Sequence, residues 1–454
     1  METRRTLTLL FALAALAAWW VGPHAPVYWD SFGYVTQSIT GRVGGLLLGR
    51  PTFILASHAL ARAWRALGGS VWTIEPLLRV CWLLVSAGAA PLTALVAREL
   101  GVSTRAAWWA GLCVALSPAV AHTSDAVLTD GSSMTVVVLS LWLAVRAARR
   151  ERVAEMFAAG CALGIAAGFR EQCAAYGVAL WALAWFTKRR AAMMAASLAG
   201  ATLTLGAPVA WLVTHQPGYL DTIHAWFRAM AHERTDHSYG ARDFAIYLGW
   251  LVSLGPLALV AALWGWTRVP TARTKVFLAV CLPAALQLAA LGLYQALSVA
   301  PRYLLPAGPC ALALPARPAL DRWGPSRRRT AWLAALLVVP ALVAGPLLRW
   351  RQGPLLAALD RLPAMLDRVP RDAVVVTGQV CPALVYLREL TRLAGTSPPL
   401  APRWTQVCPG WRWPENLAQR LDSERANGRV VVLDLRAEVW PGLRGDRYLR
   451  EVRS

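Results

Sequence analysis

The sequence predicts an all-α polytopic membrane protein of about eleven transmembrane helices, with a small C-terminal α/β domain on the extracytoplasmic side. Three observations predict it. Of 454 residues, 57% are hydrophobic and 16% charged, where a soluble domain carries about 25% charged. Eleven apolar runs approach the roughly 20 residues a spanning helix needs. The short segments between those runs are alternately basic and free of basic clusters.

The runs cover 6–22, 76–97, 105–121, 131–148, 153–169, 172–187, 191–213, 243–266, 276–298, 303–316 and 330–348. Arg4 and Arg5 precede the first. It runs into WWVGPHAP with no clean small-residue cleavage site, so it reads as a retained span rather than a signal peptide. With the N-terminus in the cytoplasm, the inner loops hold five basic groups. These are Arg98 and Arg105; Arg146, Arg149, Arg150 and Arg152; Lys188, Arg189 and Arg190; Arg268, Arg273 and Lys275; and Arg317, Arg322, Arg327, Arg328 and Arg329. Every second loop is basic, as the positive-inside rule requires, and eleven spans put the tail outside. All seven histidines (His24, His58, His122, His215, His224, His232 and His237) fall in outer segments, which places titratable chemistry on one face.

The net charge of +21 and pI near 10.7 are carried by these clusters. They read as topology signals, which excludes a soluble nucleic-acid binder. Arginine outnumbers lysine 44 to 2, and neither Asn416 nor Asn427 opens an Asn-x-Ser/Thr acceptor. Both features point to a GC-rich bacterial genome and a cell inner membrane.

Two outer loops are long. In 23–75 the stretch Pro51 to Leu67 is amphipathic, with Arg62 and Arg65 opposite an apolar face, and is expected to lie along the membrane surface. The other, 214–242, is polar. Beyond Leu348 the composition changes. DAVVVTG (372–378) and RVVVLDL (429–435) read as buried strands, and 382–393 and 415–426 as helices between them. The division is a membrane domain over 1–348 and a tail domain over 349–454. Cys81, Cys113, Cys161, Cys173, Cys281 and Cys310 lie in or near spans and read as small apolar residues. Cys381 and Cys408 are the tail's own pair, and an oxidising compartment favours a disulfide between them.

Ionisable residues at membrane edges are costly, so each needs a reason. Asp30 follows the first span in VYWDSFGYVTQSITGR. It either caps a surface helix beginning at Ser31 or acts as a general base on an acceptor hydroxyl or amine. In SPAVAHTSDAVLTDGSSM a short outer turn returns into a span at Asp130, where Thr129, Asp130 and Ser132 are also capping candidates. Arg170, with Glu171 and Gln172, sits in a turn too short to be a solvated loop. It either pairs with Glu171 or grips a phosphate. Arg302, beside Tyr303 in SVAPRYLLPAGP, either snorkels to the interface or binds the phosphate of a lipid carrier.

In order and on one face, these residues resemble the GT-C glycosyltransferases, in the branch that contains protein O-mannosyltransferases and the bacterial aminoarabinose transferase of lipid A. The resemblance rests on Asp30 after the first span, the SPAVAHTSDAVLTD turn after the third, and Arg302-Tyr303-x-x-Pro306. It covers roughly residues 1–320 and implies a GT-C-like catalytic domain. The implied reaction is inverting transfer of a sugar from a polyprenyl-phosphate donor to a lipid, glycan or protein acceptor, with Asp30 as base. Asp130, Arg170, Arg302 and Tyr303 would bind substrate. Many relatives carry a second acid directly after the aspartate; here the position is Ser31. Some relatives bind a divalent metal, for which His232, Glu233 and His237 are the candidate ligands, although HERTDH has no standard metal spacing. The partners expected are the lipid-linked donor, its acceptor and membrane lipids, and no nucleic acid.

The rival reading is a transporter or flippase. Such proteins place charges and broken helices near the bilayer midplane, whereas here the acids gather at one edge. A scaffold displaying the tail does not explain so many charges there.

Overall fold

The computed structural model describes residues 2–25, 29–44, 50–101, 103–224, 327–366, 374–376, 381–395, 405–407, 431–433 and 450–451, with single positions between 419 and 428. Eleven helices run from the N-terminus: α1 (Glu2–Val21), α2 (Trp29–Thr40), α3 (Pro51–Ala66), α4 (Ile74–Ala87), α5 (Ala89–Glu99), α6 (Thr104–Ala115), α7 (Pro118–Ser124), α8 (Thr129–Arg150), α9 (Val153–Phe169), α10 (Gly177–Trp185) and α11 (Arg190–His215). Further on come α12 (Arg327–Leu366), β1 (Val374–Val376), α13 (Cys381–Ala394), β2 (Thr405–Val407), β3 (Val431–Leu433) and β4 (Arg450–Glu451).

Among the described residues four stretches are long and apolar enough to cross a membrane: Arg4–Val21, Val71–Glu99, Thr129–Arg150 and Arg190–His215. Val153–Phe169 and Ala334–Trp350 are shorter apolar helices. The expected spans at 243–266, 276–298 and 303–316 lie outside the described residues.

Local chemistry breaks three of the expected single spans. The run 76–97 divides at Gly88 into α4 and α5. The run 105–121 is two helices, because Pro118 cannot donate into a continuing ladder. It instead opens α7, with Ser117 accepting from the Val120 amide. The run 172–187 starts as a tight 3-10 turn over Glu171–Tyr176 before α10 begins. The surface helix expected from Pro51 is α3, started by that proline in its first turn. Phe53, Ile54, Ser57 and Ala61 are buried, while Arg62 and Arg65 are exposed.

Helices α9 and α11 pack backbone to backbone. A β-carbon at Gly160 would fall 2.1 Å from the Ser197 carbonyl oxygen, and one at Gly200 would fall 2.3 Å from that of Phe157. Small residues permit this approach where lipid gives no hydrophobic drive for association. A second core joins α1, α5, α6, α7 and α8 around Leu10, Ala90, Trp109, Leu112, Val120 and Met134. Helix α12 lies against α1. Trp20 donates its indole N–H to the Leu342 carbonyl at 3.2 Å, and Arg349 donates to the Trp20 carbonyl at 2.6 Å.

Helix α12 passes position 348, where the composition changes, without a break and runs to Leu366. Beyond it four short strands among the described residues are parallel, in the order β2-β1-β3-β4. The sequence reading identified β1 and β3 and gave no signal for β2 and β4. Helix α13 lies at the expected 382–393, while the expected helix at 415–426 lies almost entirely outside the described residues. Tyr386 and Leu390 of α13 join the core formed by α2, α3 and α4 with Phe32, Phe53 and Trp82.

Candidate functional site

The two ends of α8 carry opposite chemistry. Its last turn holds Arg149 and Arg150. Around it Glu99 pairs with Arg149 at 2.9 Å, while Glu155 gathers Arg146 at 3.2 Å and Arg152 at 3.4 Å. That is the end where the sequence places an inner loop. The first turn holds Asp130, about 30 Å away at 1.5 Å per residue. Here four separate segments converge.

Arg170 follows α9 in an extended conformation. Its guanidinium pairs with the Asp130 carboxylate, and its Nε donates to Gln172 Oε1 at 2.9 Å. Both members of the pair are sealed, with side chains 1% and 2% exposed. Arg170 therefore pairs across to α8, and not with its neighbour Glu171 as one sequence reading had it. Glu171 lies 3.8 Å from Arg50 instead. Arg50 precedes α3 and donates to the Tyr34 hydroxyl while its guanidinium sits 5.4 Å over the same ring. The Tyr34 hydroxyl also meets Thr129 Oγ1 at 3.3 Å. Tyr34 thus links α2, α3 and α8.

Asp30 stands four residues before Tyr34, on the same face of α2. Burial pushes the Tyr34 phenol well above its ordinary range. Arg50 opposes that shift, Asp30 adds to it, and Arg170 and the Thr129 hydrogen bond oppose it. All three charges therefore act on one hydroxyl.

The capping readings do not hold at either acid. Helix α2 begins at Trp29, so Asp30 lies inside its first turn and not before Ser31. Helix α8 begins after Leu128 with no side-chain cap, and Asp130 is spent on Arg170. Ser31 is fully buried, and its Oγ has no hydrogen-bond partner among the described residues. A second acid at that position would be buried.

A second polar cluster lies behind the first. Asp125, in the turn between α7 and α8, accepts from the His24 amide at 2.8 Å and meets its imidazole at 3.0 Å. Arg79 of α4 stands 3.6 Å from Asp125 and 3.3 Å from Glu75. Burial raises the Asp125 carboxyl above the ordinary carboxylate range. The His24 amide, Arg79 and the His24 imidazole pull it back. Gly22 makes the approach feasible, since a β-carbon there would lie 2.1 Å from Asp125 Cβ. This cluster clips the segment leading to Asp30 onto the turn leading to Asp130.

Sequence reasoning singled out Asp30, Asp130 and Arg170 and missed Tyr34, Arg50, Glu75, Arg79 and the role of Asp125. Arg302, Tyr303, His232, Glu233 and His237 lie outside the described residues, as does Cys408, the expected partner of Cys381. Among the described residues no three His, Cys, Asp or Glu side chains converge as a metal site.

No curated protein matches the chain. Residues 73–214, just under a third of it, match the family model for dolichyl-phosphate-mannose-protein mannosyltransferase. That stretch runs from the start of α4 to the end of α11 and contains Arg79, Asp125, Asp130 and Arg170, while Asp30 and Arg50 lie before it. Over these residues the chain is similar to membrane glycosyltransferases that draw on a polyprenyl-phosphate-linked sugar.

Proposed function

We propose that this protein transfers a sugar from a polyprenyl-phosphate donor, with inversion, to a lipid, glycan or protein acceptor on the extracytoplasmic face of a bacterial inner membrane. The observation that carries the reading is the convergence of Asp30, Tyr34, Arg50, Asp130 and Arg170 at one end of the bundle. The family match over 73–214 supports it independently. The architecture that goes with it is a GT-C-like membrane domain of about eleven spans over 1–348 and an extracytoplasmic α/β unit over 349–454.

In this mechanism Asp30 removes the proton of the acceptor hydroxyl as that oxygen attacks the anomeric carbon. The bond from that carbon to the phosphate oxygen breaks on the opposite face, and its electron pair leaves with the lipid phosphate. Charge thus builds on the departing phosphate. Arg50 supplies positive charge in a water-poor setting, where such stabilisation is strongest, and the Asp130–Arg170 pair fixes the segment after α9 beside it. Asp130 holds Arg170 in place. Arg302 and Tyr303 complete the donor contacts in this reading. A divalent metal, if held by His232, Glu233 and His237, would add Lewis-acid polarisation.

The test uses full-length chain in proteoliposomes with radiolabelled polyprenyl-phosphate mannose and a membrane extract as acceptor. Asp30→Asn keeps shape and hydrogen bonding but removes the proton acceptor. Transfer should fall by about 100-fold or more with donor retention little changed. Near-normal transfer by folded Asp30→Asn would remove the proposed mechanism.

A further inference from the structure

Helix α3 has three flanks. Its core side carries Phe53, Ile54, Ser57 and Ala61. At 100° per residue, His58, Arg62 and Arg65 fall together on one side of that core face, and Leu60 and Leu67 fall on the other. Leu60 and Leu67 are exposed, as is Trp72 just beyond the helix. Exposed leucine and tryptophan on one flank with arginine on the other is the arrangement of a segment seated at a membrane interface.

On the basic flank lies a cavity of about 260 Å³ lined by Ile39, His58, Ala61, Arg62, Arg65 and Ile74. Its walls are prearranged. The His58 ring is held by its Nδ1 on the Ser38 carbonyl at 2.7 Å. Gly41, at φ +71°, lets the turn after α2 close onto that ring, since a β-carbon there would sit 2.8 Å from Nε2. The floor is buried: Ile39, Ala61 and Ile74 are all shielded from solvent. No acidic side chain lines the cavity, and among the described residues no carboxylate pairs with Arg62 or Arg65. Two guanidinium groups thus stand three residues apart over an apolar floor. The volume is several times the roughly 30 Å³ share of one water, enough for a phosphate with its substituents.

We propose that this cavity binds a phosphate-bearing anion at the membrane surface, the headgroup of an acidic phospholipid, at a site distinct from the transfer centre. Guanidinium forks match phosphate oxygens in pairs, and the apolar floor of Ile39, Ala61 and Ile74 suits a ligand whose phosphate adjoins a hydrocarbon chain. The site is nine residues along α2 from Asp30, about 13 Å at helical rise, so it needs no part in the chemistry.

The full chain is purified into nanodiscs of phosphatidylcholine with a minority of phosphatidylglycerol, and the lipids retained on extraction are weighed by native mass spectrometry. Wild type should retain phosphatidylglycerol over phosphatidylcholine, and Arg62→Ala with Arg65→Ala should cut that preference by about tenfold. Both residues are exposed, so folding should survive; Arg62→Gln alone gives a milder second measure. Competition with millimolar inorganic phosphate separates the sources. Displacement assigns recognition to the phosphate alone, and resistance assigns it to the lipid headgroup as a whole. Equal retention of both lipids by wild type, or an unchanged preference in the double variant, would overturn the proposal. Lipid retention is read without any transfer assay, so failure here leaves the proposed reaction standing.

Discussion

Substituting Asp130 by asparagine tests the buried pair at the centre of the site. Asparagine has the volume of aspartate, so packing in the first turn of α8 is preserved. What disappears is the counter-charge of Arg170, whose side chain is 1% exposed. Removing one member of a buried ion pair costs about 3–5 kcal/mol, because the other charge stays desolvated without compensation. Gln172 still accepts from the guanidinium at 2.9 Å and the new amide oxygen accepts a further bond, so the lower end, about 3 kcal/mol, is expected. Replacing both residues, Asp130→Asn with Arg170→Met, removes the stranded charge and should recover part of the loss. The expected interaction energy is about 2 kcal/mol. Reversible unfolding of detergent-purified protein against an SDS titration gives the four stabilities of the cycle. If Asp130→Asn lay within about 0.5 kcal/mol of wild type, the range of ordinary surface changes, the sealed ion pair would not be what anchors α9 to α8.

Two more outcomes follow from the geometry. Gly160→Leu should separate α9 from α11, because a β-carbon already meets the Ser197 carbonyl at 2.1 Å; a loss of several kcal/mol or failure to yield monodisperse protein is expected, and a normal melting profile would contradict the close packing. Ser423→Cys, in a background with Cys381 and Cys408 replaced by serine, should react with an impermeant maleimide in intact cells. Reaction only after permeabilisation would reverse the proposed orientation, and the face of the transfer reaction with it.

Where a single physical demand dominated, the sequence was readable. Uninterrupted apolar length marked α1, α8, α9 and α11, and amphipathic spacing after Pro51 marked α3. Where a local residue competed with average hydropathy the reading slipped. Ser117-Pro118 cuts one apolar run in two, though both halves remain hydrophobic. In the site, Asp30, Asp130 and Arg170 stood out because ionisable groups at a membrane edge need a reason. Tyr34 did not, since tyrosine is ordinary at an interface. Arg50 was hidden in a chain rich in arginine, yet it carried a signal. A cation directly before a helix start faces the wrong end of the helix dipole, and Arg50 precedes Pro51. Arg79 was also visible as a charge inside the run 76–97. Its partner Asp125, 46 positions later, could not be found by spacing, because only the turn between α7 and α8 brings them together.

The contact of α12 with α1 has a consequence for how the protein is made. Arg349 reaches the Trp20 carbonyl across 329 positions of chain. At 5–20 residues per second of synthesis, roughly 15–65 s pass between the emergence of the two residues. Through that interval the face of α1 that carries Trp20 must wait against lipid or against the insertion machinery. A ribosome stalled anywhere before α12 leaves that face open, so incomplete chains should be marked for quality control by an unclosed first helix.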